Sequence, residues 1–153
     1  MEAHPQDIEH NVAVLKKLRD MLSRQREKFG AYLQLLECEG QSIEQGDTEK
    51  LLAQVEMEKS LIADIFTLRK VIAPLEAIYQ STYPSGTEST VPRLNSTLDA
   101  MGTEIISRNA RNRQRLRERM EELRLEITSL RAWPKAASPF AAAAAPGLID
   151  ITT

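Results

Sequence analysis

From Asp7 to about Gln45 apolar residues return every seven positions, at Ile8, Leu15, Leu22, Phe29, Leu36 and Ile43. A seven-residue repeat held over this length belongs to an amphipathic helix that packs along a partner helix, and it does not fit a strand, whose period is two. A second column is expected four residues after members of the first, at Val12 and Leu33, with Arg19, Arg26 and Gly40 interrupting it. Leu18 and Tyr32 widen the stripe, which suits a helix with two neighbours better than a strict two-stranded zipper. At ~1.5 Å per residue such a helix is roughly 55 Å long, so the expected shape is a rod.

Composition agrees with a helical reading. Aromatic residues make up 5% of the 153 residues, glycine occurs only 6 times, and charged residues reach 27%. Strand-rich domains draw on aromatic and β-branched residues and on turn glycines. This length predicts one domain, or a domain with a tail.

Gln45-Gly46-Asp47-Thr48-Glu49 is the first break. Gly46 can end a helix in the left-handed conformation and Asp47 can cap the next, so a short antiparallel hairpin is expected. Helix two runs from Thr48 to about residue 80, with Leu51, Val55, Ile62, Ile65, Ile72 and Tyr79 on one face. Leu52, Leu61, Phe66, Leu68 and Leu75 lie beside that face. Pro74 falls inside this pattern and predicts a kink or local break. Ser81 to Pro92 is dense in turn formers and reads as a long loop almost free of core residues.

Helix three is expected over 93–132, defined by Leu94, Leu98, Met101 and Ile105 and then by Leu116, Met120, Leu123, Ile127 and Leu130. Between them the apolar pattern lapses into Ser107-Arg-Asn-Ala-Arg-Asn-Arg-Gln-Arg115. The reading is therefore all-α: an elongated antiparallel three-helix bundle or coiled-coil rod over 1–133, with an Ala/Pro-rich flexible tail over 134–153. The tail ends in Leu148-Ile149-Asp150-Ile151, either a docking peptide or a frayed end.

Chemistry-bearing constellations do not assemble. His4 and His10 complete no metal-ligand spacing, Cys38 has no base with a sequence reason to be near it, and there is no glycine-rich phosphate loop. Glu56 with Glu58, and Glu121 with Glu122, have spacings common on solvated helix faces. The sequence points away from an enzyme, and no catalytic, cofactor-binding or metal-binding residue is assigned. With one cysteine no internal disulfide forms. No basic segment followed by an apolar run opens the chain, and the longest apolar run, Phe140 to Ala145, is far short of the ~20 residues that span a bilayer. A soluble cytoplasmic protein without membrane insertion is expected.

The formal net charge of -2 hides an uneven distribution. Residues 1–100 carry -5, whereas residues 101–131, with eight arginines and five glutamates, carry +3. A basic helix can follow a phosphate backbone, but here the arginines thin out within three turns and no aromatic residues are interleaved for base stacking. A solvated or protein-binding face is favoured over nucleic acid. Most of the leucines and isoleucines are expected in the core. Even so, a third helix that is polar before Leu116 and apolar after it can offer a groove to a partner helix, with Met101 and Met120 adapting to its shape.

The order of features resembles the FlgN family of flagellar type III export chaperones. Three islands carry the resemblance. The first is Tyr32-Leu-Gln-Leu-Leu-Glu-Cys-Glu39, and the second is Gln45-Gly-Asp-Thr-Glu-Lys-Leu-Leu52 continuing into Glu56-Met-Glu-Lys-Ser-Leu-Ile62. The third is Ile106-Ser-Arg-Asn-Ala-Arg-Asn-Arg113 followed by Leu116 and Met120. The resemblance implies a small cytoplasmic helical chaperone without ATPase activity or cofactor. Its partners would be the C-terminal segments of hook-filament junction proteins and the export gate with its ATPase complex. Client binding maps onto the last helix, at Asn109, Asn112, Arg113, Leu116, Met120, Leu123, Ile127 and Leu130. Pro74, the loop from Tyr83 to Pro92 and the tail are departures from the family pattern. Two other classes fit the residues: a coiled-coil adaptor or oligomerising scaffold, which predicts a dimer where the chaperone favours a monomer, and a basic nucleic-acid-binding helix.

Overall fold

A computed structural model describes residues 4–132. They form three helices, α1 (Pro5–Gln45), α2 (Thr48–Thr82) and α3 (Thr90–Arg131), with no strand among the described residues. The architecture is an all-α helical bundle. The chain divides into two units, Met1–Leu116 and Arg117–Thr153. The expected tail and its Leu148–Ile151 patch lie outside the described residues.

In the first unit α1 and α2 form the expected antiparallel hairpin. Lys28 pairs with Asp64 at 2.8 Å and Tyr32 with Glu58 at 2.5 Å, so numbers fall on one helix as they rise on the other. The hairpin turns at Gly46, whose φ of 68° is left-handed. Its N–H donates to the Ile43 carbonyl and that of Asp47 to the Ser42 carbonyl, which closes α1. The Asp47 carboxylate then accepts the Lys50 amide and opens α2. α3 runs parallel to α1, since Arg19 meets Glu88, Arg108 meets Leu33 and Asn112 meets Leu36.

The seam of α1 differs from the expected one. A buried or half-buried series runs Leu15, Leu18, Leu22, Gln25, Phe29, Tyr32, Leu36, Glu39 and Ile43, spaced alternately by three and four, and Val14, Leu35, Gly40 and Ser42 are buried beside it. A second column thus follows the first by three residues, while in the expected column four residues on Leu33 is half-buried and Gly40 is buried. Val12, assigned to the column four residues on, is 57% exposed. The polar Gln25 and Glu39 hide the true column, because a pattern of apolar residues alone passes over them. Ile8 is also exposed: Tyr83, just past the end of α2, bonds to the Asn11 carbonyl, so Ile8 lies beyond the level that α2 reaches.

α2 turns Leu51, Gln54, Glu58, Leu61, Ile65, Leu68, Ile72, Leu75 and Tyr79 inward, again by threes and fours. Leu52, Ile62 and Phe66, which the sequence pattern places on or beside the packed face, are exposed. The apolar width of α2 exceeds what its neighbours in the first unit cover. Part of the Phe66 ring is screened by the Lys70 ammonium, 4.8 Å from its centroid.

Of the kink or break expected at Pro74 the break is excluded, and the expected loop is corrected. α2 continues through Pro74 to Thr82 without a break. Pro74 is exposed, so the Lys70 carbonyl that loses its amide donor can be hydrated. The loop is shorter than 81–92, and α3 starts at Thr90 despite Pro92, because a first-turn proline sacrifices an N–H that has no helical acceptor. Nor is this stretch free of core residues. Val91 is 1% exposed and joins Leu18, Leu22, Ile72, Leu94 and Leu98 in the core cluster.

Glu88 fixes this end of the bundle. Its carboxylate accepts the Thr90 and Val91 amides at 2.8 Å each, an ion pair from Arg19 at 2.6 Å and the Tyr79 hydroxyl at 3.3 Å. Burial alone would raise its pKa; the Val91 amide, Arg19 and the Thr90 amide outweigh burial and hold it at about 2. One side chain thereby caps α3 and joins it to α1 and α2.

Candidate partner-binding site

The lapse in apolar pattern at Ser107–Arg115 has a structural cause. Here α3 is fastened to α1 by polar side chains that reach α1 carbonyls. Arg108 donates from Nε to Glu104 at 2.8 Å and from Nη1 to the Leu33 carbonyl at 3.3 Å. Asn112 is 7% exposed and donates from Nδ2 to the Leu36 carbonyl at 2.7 Å. A helical carbonyl already holding its own amide has a second lone pair free for such a bond. Gly40 makes the approach possible, since a Cβ there would lie 2.9 Å from both Asn112 Oδ1 and Arg115 Nη1. Arg115 also reaches Glu44 at 3.4 Å.

Beside this contact lies a cluster of buried polar groups. Glu39 of α1 is 5% exposed and shares a hydrogen bond with Glu58 of α2, which also accepts the Tyr32 hydroxyl. Two carboxyl groups can bond to each other only if one keeps its proton. Burial, followed by the charge and hydrogen bond of Glu58, pushes Glu39 up to about 7. Burial and Glu58 also raise Tyr32, and the Arg113 charge partly opposes them. The cluster thus draws on Tyr32–Glu39, Glu56–Ile62 and Ile106–Arg113, which are parts of the three resembling islands; Gln45–Leu52, Leu116 and Met120 are not in it.

The cluster predicts a pH dependence of stability. A carboxyl whose pKa is higher folded than unfolded stabilises the fold while protonated, and that contribution is lost as pH rises from about 4.5 through 7. Gln in place of Glu39 keeps a donor toward Glu58 and carries no charge. Glu39→Gln is therefore expected to melt about 3 °C or more above the native chain at pH 8, and to lose this advantage by pH 5. Thermal melts at the two pH values check it; an equal difference at both would remove the titration from the account.

The second unit is described from Arg117 to residue 132, all within or just beyond the end of α3. Met120 is 61% exposed, Leu123 44%, Ile127 52% and Leu130 68%. Their spacing of three, four and three puts them in one stripe along the helix. Leu116, four residues earlier at the end of the first unit, is 38% exposed. Arg117, Arg124 and Arg131 each directly follow a leucine of this series and are exposed. Arg119 pairs with Glu122 at 3.0 Å.

The candidate residues from the sequence therefore have different settings. Asn112 is buried and its amide is used against α1, Asn109 is half-buried, and Arg113 is exposed beside the polar cluster. Leu116, Met120, Leu123, Ile127 and Leu130 are exposed apolar groups on an already formed helix. Sequence reasoning missed Gln25, Glu39, Gln54 and Glu58 as seam positions. Their signal was available, since each stands three or four residues from apolar neighbours in the seam.

Among the described residues no group of three or more His, Cys, Asp or Glu could hold a metal ion, and no helix is long and apolar enough to cross a membrane. The class defined by these observations is an all-α helical bundle with a polar, titratable contact between its helices. No family model and no solved structure matches the chain. It is 32% identical over 127 residues to an uncharacterized protein of Treponema pallidum (strain Nichols), covering 83% of this chain and 81% of that protein. The chain belongs to the family of that Treponema protein.

Proposed function

We propose that this protein is a cytoplasmic flagellar export chaperone. It holds the C-terminal segment of a hook-filament junction protein on α3 and delivers it to the type III export gate and its ATPase complex. The observation that carries the reading is the exposed stripe of Met120, Leu123, Ile127 and Leu130, with Leu116 preceding it at the same spacing. A helix that leaves a regular apolar seam in water is suited to a client that folds onto it. A disordered export segment can supply that client, coiling as a helix while aliphatic burial offsets its ordering entropy. The meeting of the three FlgN-like islands around Glu39, Glu58 and Asn112 supports the resemblance, because it ties those residues to one packing device. Asn112 and Arg108 then act by fastening α3, and the leucines make the contact.

The test is calorimetric titration of a junction protein's C-terminal segment into the native chain and into the double variant Leu123→Asp, Ile127→Asp. Removing two apolar anchors is expected to weaken binding by about 100-fold or more, with the helical circular dichroism nearly unchanged. Unchanged affinity would refute the site. Loss of the folded state would assign this face to the core.

A further inference from the structure

We infer that the helix taken by the 116–130 seam carries carboxylates along one edge, and that a second copy of this chain is not that helix. The inference rests on the preceding reading of this seam as the partner site and adds the chemistry of the occupant. Leu116, Met120, Leu123, Ile127 and Leu130 follow the four-three rhythm of a coiled-coil interface. Residues directly beside such a seam face the edges of the partner helix and decide which partner is accepted. On one edge these are Arg117, Arg124 and Arg131, an unbroken row of positive charge. Among the described residues none of the three forms an ion pair. On the other edge stand Arg119, already held by Glu122, and Glu126.

A second copy fits neither orientation. In an antiparallel pair the arginine edges face each other, so Arg117 meets Arg131 of the copy and Arg124 meets Arg124. In a parallel pair Arg119 faces Arg124 of the copy, and only Glu126 with Arg131 is favourable. Like charges beside a seam disfavour pairing. A helix with Glu or Asp along the facing edge meets three unpaired guanidinium groups, each able to hold a carboxylate with two hydrogen bonds.

Two synthetic amphipathic peptides test this, sharing one leucine and isoleucine seam but carrying Glu or Lys along the edge that meets the arginines. Fluorescence anisotropy with the full chain is expected to show the Glu peptide binding about tenfold or more tighter at low salt, with the gap narrowing as salt rises. Arg117→Glu, Arg124→Glu and Arg131→Glu together are expected to reverse the preference. Equal binding of the two peptides, or no reversal in the triple variant, overturns the inference. So does micromolar self-association of the native chain that Leu123→Asp abolishes, or tighter binding of an RNA homopolymer than of the Glu peptide. If the Glu peptide binds and junction protein segments do not, the chaperone reading fails and the acidic-edged partner stands.

Discussion

Leu18→Ala is expected to remove about 3–4 kcal/mol from the stability of the bundle, read as a shift in the midpoint of urea unfolding. Leu18 is completely buried and lies where α1 faces Ile72 of α2 and Val91, Leu94 and Leu98 of α3. Truncating it removes apolar contacts with two helices at once. The cavity cannot collapse readily, because Val91 and the start of α3 are held by the Glu88 hub. The same substitution at Val12, 57% exposed, is expected to change stability by no more than about 0.5 kcal/mol. Comparable losses at the two positions would show that the seam has been placed on the wrong residues.

The second large effect is expected at Glu88. Glu88→Ala removes the acceptor for the Thr90 and Val91 amides, leaves Arg19 without its ion pair, and frees the Tyr79 hydroxyl. Loss of the cap and of charge-assisted bonds at a side chain only 8% exposed is expected to cost about 2–3 kcal/mol at neutral pH. A carboxylate whose pKa is depressed when folded contributes stability above its unfolded pKa. That contribution declines as pH falls from about 4.5 through 2. The difference between the native chain and Glu88→Ala should therefore shrink over that acidic range, whereas the stabilisation from protonated Glu39 is lost as pH rises. A difference that stays constant down to pH 2 would mean that the loss is one of packing alone.

These two residues also mark how far the fold is legible from the chain. Helix number, the Gly46-Asp47 hairpin and the class of the fold follow from apolar period and turn chemistry, which are local properties. The identity of the seam did not follow so simply. Gln25, Glu39, Gln54 and Glu58 are polar yet buried or half-buried, and only Glu58 has a plain cross-helix bond, from the Tyr32 hydroxyl, while Oε1 of Gln25, Glu39 and Gln54 is buried without a hydrogen-bond partner, a placement that no local pattern displays. Glu88 looks like one polar residue in a turn-rich loop, and its role depends on Arg19, 69 positions away. At Pro74 the reverse holds: the local rule against proline is real, but exposure to water lets the helix run on. In the candidate site, the leucines from Leu116 to Leu130 were legible as a stripe because nothing interrupts their spacing. Asn112 was legible only as an anomaly, and its bond to the Leu36 carbonyl gives the anomaly its cause.

The apolar stripe of α3 beyond residue 116 is the surface proposed to receive a client helix. Hydrogen–deuterium exchange of the full chain, with and without a junction protein's C-terminal segment, is the decisive experiment. Amides between 117 and 131 are expected to become more protected on binding, while those of Leu18–Leu36 and Val91–Leu98 keep their exchange rates. Protection appearing only on the exposed face of α2 around Ile62 and Phe66, or nowhere in the chain, would contradict it.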